Sequence, residues 1–205
     1  MHPFFAVLNW AAFAGWSYVL LQLAYISLAQ DSDADELESL GRPVLGLEVI
    51  CLIEVVRIVM GDLPGNMVLG VVLHAIRFTV LTLVWKATHW TGPAIYWSWA
   101  VTEVSRYPMY MFPNQPSLRS IRMVVPLVTF PVGAFAEAYA TYLAFINEDD
   151  ATSKELWQQG LFVAVLFVNG VLGPTMAYPA LLKKGLPVLG FAKKGGDKKN
   201  SAKAN

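Results

Sequence analysis

The chain has 205 residues, 56% hydrophobic and only 15% charged, with a formal net charge of +0. A soluble domain carries about 25% charged residues, so this composition excludes an ordinary soluble domain. Zero net charge excludes nucleic acid as a natural partner, and a single cysteine, Cys51, excludes an intrachain disulfide. The charges are clustered, and the apolar runs between them read as an all-α polytopic membrane protein of six spans in one bundle, at about 20 residues per span.

The first span is predicted over Pro3–Ala29. It follows Met1–His2 with no basic region ahead of it, so it reads as a retained span rather than a leader. The acidic loop DSDADELESLGRP ends it. The second span covers Val44–Met60 and stops at the tight turn GDLPG. The third covers Asn66–Ala87, and the fourth Pro93–Met111, ending at FPNQP. The fifth covers Ser120–Ile146, where Pro131 and Gly133 are expected to kink or loosen the helix, and NEDDATSKE follows it. The sixth covers Leu156–Leu182 and contains Gly170, Gly173 and Pro174, which neighbouring helices can accommodate. Residues 1–185 thus form one membrane domain, and 186–205 a Lys/Gly-rich flexible tail.

Six spans put both termini on one side. That side holds the tail lysines Lys183, Lys184, Lys193, Lys194, Lys198, Lys199 and Lys203, with Arg119 and Arg122. The other side has few basic residues: Arg42, Lys86 and Lys154. The positive-inside bias therefore places the termini in the cytosol, or in the matrix of a mitochondrion. The tryptophans fall mostly near span ends and read as interface anchors.

Ionisable residues inside spans mark functional positions by default. Glu48, Glu54 and Arg57 fall on the second span, His74 and Arg77 on the third, Glu103 and Arg106 on the fourth, and Glu137 on the fifth. Glu54/Arg57 and Glu103/Arg106 are i, i+3 pairs that can neutralise themselves on one face. Together these groups suggest a polar cavity between helices. Glu137 has no basic residue three or four positions away, which suits a proton-transfer group. Otherwise it is a carboxyl hydrogen-bonded to an Arg or Tyr of another helix. Phe130 lies two turns before it on the same face. No histidine spacing fits a metal site, and no phosphate loop or GxSxG is present, so no cofactor is expected.

The segment EVSRYPMY (Glu103–Tyr110), followed by a basic turn and FPVGAFAE (Phe130–Glu137), resembles the membrane 3-hydroxyacyl-CoA dehydratases, also called the protein-tyrosine-phosphatase-like A family. IEVVR (Ile53–Arg57), GWSYVL (Gly15–Leu20) and AYPALLKK (Ala177–Lys184) are similar to further pieces. The resemblance covers about the whole chain. It implies a six-span fold with cytosolic termini, and dehydration of very-long-chain 3-hydroxyacyl-CoA in fatty-acid elongation. The family's catalytic pair is a Tyr and a Glu. The Glu matches Glu137, but the Tyr position is Phe130, which has no proton to give. Met123 stands where the family has a second Tyr, after Arg122.

The resemblance therefore supports a catalytically impaired dehydratase-like protein serving as a structural or interaction subunit of a membrane complex. The alternative is an active dehydratase in which Tyr107, Tyr110 or a water held by Arg106 replaces the lost hydroxyl. A small transporter or channel is a third class, weakened by the absence of an internal repeat. Glu103, Arg106, Tyr107, Tyr110, Arg122, Glu54, Arg57, His74 and Arg77 are the expected cavity or substrate-binding residues. Expected partners are membrane lipids, other membrane subunits, and acyl-CoA if the protein is active. The family implies the endoplasmic reticulum, with the mitochondrial inner membrane as the alternative. The phosphatase in the family name is not read as an activity, because Cys51 lies in a span.

Overall fold

The computed structural model describes residues 3–29, 34–61, 66–84, 90–146 and 155–191. Lys86, Lys154, His89, the Asp31/Asp33 and Glu148–Asp150 acidic stretches, most of the GDLPG turn and the tail beyond Phe191 lie outside the described residues. All regular structure among the described residues is helical.

α1 is Pro3–Leu28. The acidic loop after it is not wholly irregular: Ala34–Ser39 forms a short helix, α2, with two acidic residues in its first turn, where they complement the helix dipole. α3 is Gly41–Val59. α4 is Met67–Val84, opened by Asn66, whose side chain accepts the Leu69 N–H at 3.2 Å, and closing in a π-helical stretch, Val80–Val84. α5 is Thr91–Met111.

The expected fifth span begins earlier than Ser120 and is broken. Pro116 starts a nine-residue helix, α6 (Pro116–Val124), and Pro126 starts α7 (Pro126–Ile146). Each proline suits a first helical turn because it has no N–H to leave unpaired. Pro131 does not break α7, which runs through it. α8 is Leu156–Gly185, opened by a reciprocal capping box between Glu155 and Gln158 and carrying a π-helical stretch over Val168–Ala177 around Gly170, Gly173 and Pro174.

The long helices close into a ring in the order α1, α3, α4, α8, α7, α5 and back to α1. Sequence spacing explains who faces inward. On α1, Asn9, Ala12, Trp16, Val19 and Leu23 recur every three or four residues, and all are buried. Gly15, beside them, lets Leu47 of α3 approach. α7 turns a face of small residues toward α5, including Gly133, Ala136, Ala140 and Ala144. The outward faces of α1, α7 and α8 stay apolar and exposed, as lipid contact requires.

Among the described residues, four runs are long and apolar enough to cross a membrane: Pro3–Leu28, Met67–Val84, Pro116–Ile146 and Leu156–Gly185. α3 and α5 do not meet that measure. They carry Glu48, Glu54 and Arg57, and Glu103 and Arg106.

α5 and α7 approach closely at Gly133, where an added Cβ would lie 2.4 Å from Ser98 Oγ on α5. Gly133→Ala is expected to destabilise the bundle by about 1–3 kcal/mol through overpacking. Adding Ser98→Ala should recover part of the loss. Thermal unfolding in detergent checks this, and equal melting of all three proteins would contradict the close α5–α7 approach.

Candidate functional site

The site rests on a buried ionic network. Glu48 of α3 is fully buried and accepts from two residues of α4: Arg77 Nη1 at 2.7 Å, and a pairing with His74 Nδ1 at 2.8 Å. The same Arg77 nitrogen donates to Glu103 Oε1 of α5 at 2.8 Å. The other Glu103 oxygen pairs with Arg106 at 2.5 Å, and Arg106 reaches Glu54 of α3 at 3.4 Å. Three helices are thus joined by alternating charge.

The i, i+3 expectation holds for Glu103/Arg106 and fails for Glu54/Arg57. Arg57 turns away from Glu54, donates to Asn9 Oδ1 of α1 at 3.3 Å and lies over the Phe5 ring. Three residues along a helix set two side chains roughly on one face, but partners on neighbouring helices decide which way each bends. Cys51 and Arg57 have the interval of a Cys-x₅-Arg phosphatase loop. They lie on the continuous helix α3, with Cys51 facing Tyr107 Oη at 3.2 Å and Arg57 facing α1, so they form no phosphate cradle.

Trp99 links this network to Glu137. Its ring lies beneath the Arg77 guanidinium, 5.1 Å from the centroid, and its Nε1 donates to Glu137 Oε1 at 2.6 Å. Asn169, on the π-helical stretch of α8, donates to the second Glu137 oxygen at 2.7 Å. Glu137 is therefore held by other helices, as one of its two readings expected, but by Trp and Asn rather than by Arg or Tyr.

Trp99 and Asn169 are the site residues that sequence reasoning missed. Placement near span ends predicts interface anchors at the tryptophans, yet Trp99 and Trp16 are buried inside the bundle. The available signal was the i, i+4 spacing from Trp99 to Glu103. Asn169 was visible as an amide inside an apolar run beside Gly170 and Gly173.

Glu137, Phe130, Arg77 and Asn169 line one cavity of about 50 Å³, together with apolar residues that include Leu73, Ile76 and Gly173. Of the expected cavity residues, Arg77 reaches it. His74, Glu54, Glu103 and Arg106 belong to the network. Tyr107 faces Cys51, while Tyr110 packs edge-on to Tyr107 and under Arg122. Arg122 also donates to Met109 Sδ at 3.6 Å.

The Phe130 ring stacks parallel to Tyr178 of α8, centroids 6.3 Å apart. Pro131 explains the Tyr178 hydroxyl. Proline has no N–H to give the Leu127 carbonyl its partner one turn back; Tyr178 Oη donates to that carbonyl at 3.2 Å instead. α7 thus keeps its path through Pro131 with a hydrogen bond borrowed from α8.

An all-helical membrane chain with a carboxyl on a small internal cavity is the class these features define. Residues 48–185 match the family model described as protein tyrosine phosphatase-like protein, PTPLA, and the chain belongs to that family. The chain is also 25% identical over 156 residues to a mouse protein named very-long-chain (3R)-3-hydroxyacyl-CoA dehydratase 2, a match covering 69% of this chain and 59% of the relative. The chain thus spans well under two thirds of that relative's length. No solved structure matches the chain.

Two outcomes are expected from the geometry. Arg77→Met leaves the carboxyls of Glu48 and Glu103 without their shared cation and should cost about 3–5 kcal/mol. A melting temperature unchanged in detergent would remove Arg77 from its bridging role. Tyr178→Phe orphans one carbonyl and should cost about 1–3 kcal/mol. In a Pro131→Ala background, where the backbone donor returns, the same substitution should cost less. Identical losses in both backgrounds would refute the substitution of one donor for the other.

Proposed function

We propose that this chain is a catalytically impaired 3-hydroxyacyl-CoA dehydratase-like membrane protein, kept for its fold as a structural or interaction subunit of a membrane complex. The observation that carries this reading is that Glu137 shares its cavity with Phe130, two turns before it on the same helix. Dehydration takes a proton from C2 and gives one to a departing hydroxide, so it needs an acid and a base about the same acyl chain. Glu137 can serve as one of them. Phe130, in the family's Tyr position, cannot serve as the other.

The other polar side chains on the cavity do not restore the function. An amide such as Asn169 has no acidic proton, and guanidinium keeps its proton throughout the working range. The hydroxyl replacements expected from the fourth span are directed elsewhere, Tyr107 to Cys51 and Tyr110 to its aromatic and arginine neighbours. Tyr178 is committed to the Leu127 carbonyl. The cavity of about 50 Å³ suits a few waters. Ligand pockets run to about 300–1,000 Å³.

The alternative reading, an active dehydratase, draws on one observation. Glu137 is held from both sides by Trp99 and Asn169, the kind of fixed geometry a catalytic carboxyl needs. In either reading α3 and α5 complete six spans, their charges shielded within the ring, and both termini lie on the side of the basic residues. Placement in the endoplasmic reticulum follows the family resemblance; the mitochondrial inner membrane is the alternative.

The purified chain supplied with a 3-hydroxyacyl-CoA should give no enoyl product above background. Phe130→Tyr restores the missing group, and one positioned acid–base group is worth about 10²–10⁴ in rate. Wild-type turnover that disappears in Glu137→Gln would overturn the impaired reading. Native purification in mild detergent should show stoichiometric co-migration with a larger complex, and a free monomer would argue against the subunit role.

A further inference from the structure

Helix α6 differs from the rest of the bundle. None of its residues is fully buried, and Arg119 and Arg122 share one face at i, i+3. Leu118 and Ile121, at the same spacing, are partly to well exposed. A short amphipathic helix with arginines on its polar face and apolar side chains beside them fits the plane of a membrane surface.

Neither arginine is neutralised among the described residues. A terminal nitrogen of Arg119 donates to the Pro113 carbonyl at 3.4 Å. Arg122 rests on Met109 Sδ and over the Tyr110 ring, 5.2 Å from its centroid. All of these partners are uncharged. The sequence holds no Asp or Glu from Val104 to Ala136, nor from Leu156 to Gly196.

The end of α8 joins the same place. A Cβ on Gly185 would lie 2.7 Å from the Met123 carbonyl and 2.8 Å from Leu127, so α8 ends hard against the α6–α7 junction. Lys183 and Lys184 occupy its last turn and are exposed. After Gly185 the chain turns back, with the Phe191 N–H on the Leu186 carbonyl at 3.0 Å. That turn exposes Val188, Leu189 and Phe191.

We propose that this end of the bundle binds an anionic phospholipid, its phosphate between α6 and the last turn of α8 and its acyl chains against the exposed apolar side chains. The unneutralised cations select a phosphate-bearing ligand. The apolar residues around them select a lipid over a soluble phosphate.

The test uses the full chain in mild detergent, with thermal melting followed as phosphatidylglycerol, phosphatidylcholine of the same acyl chains, or coenzyme A is added. Phosphatidylglycerol should raise the melting temperature, phosphatidylcholine should not, and the gain should shrink as ionic strength rises. Lys183→Gln with Lys184→Gln should weaken phosphatidylglycerol binding roughly fivefold per charge removed. Arg119→Gln, a separate exposed substitution on α6, should do the same, and it decides the question if the lysine pair compromises folding. Equal gains from the two lipids would overturn the proposal. So would an undiminished gain in variants that melt normally without lipid, or a gain from coenzyme A that abolishes that of phosphatidylglycerol.

Discussion

One nitrogen of Arg77 sets the arrangement of the bundle. It donates to Glu48 on α3 and Glu103 on α5 at once, from α4 between them. Taking charges out of water costs several kcal/mol per ion, and only excellent geometry recovers it. Here each carboxyl is met twice: Glu48 by Arg77 and His74, Glu103 by Arg77 and Arg106. Sliding α4 by a turn would strand charges of both signs.

The same arginine reaches toward the cavity that holds Glu137, and Trp99 spans the distance between them. Network and site are therefore one construction. The carboxyl on α7 is aimed by α5 and α8, while α5 is fixed by α4. A chain that had lost dehydration chemistry could still keep Glu137, because its two oxygens hold three helices together. Retention of the residue is thus weak testimony for catalysis.

The helices were legible from the sequence because lipid enforces long apolar runs and the caps and prolines mark their ends. The stop at FPNQP after Met111 and the start at Asn66 are plain examples. The break at Pro126 was not, since a proline one turn inside an apolar run reads equally well as a tolerated kink. The site was half legible. Glu137 and Phe130 stood out through the family motif and the two-turn interval. Their surroundings did not, because Trp99 and Asn169 reach Glu137 across helix contacts that no local spacing encodes. Arg57 makes the same point in reverse: its sequence neighbour Glu54 was the obvious partner, and Asn9, 48 positions away, is the real one.

The charged face of α3 has a consequence for how the protein is made. An isolated helix bearing Glu48, Glu54 and Arg57 at bilayer depth would be disfavoured by roughly 2.5–3.5 kcal/mol for each centrally placed charge. α4 is apolar enough to enter alone and carries the cation that Glu48 requires. Were α3 to cross the bilayer, the two adjacent helices would suit lipid as a hairpin better than as single segments. In this chain the order of synthesis places the helix that needs shelter immediately before the one that provides it.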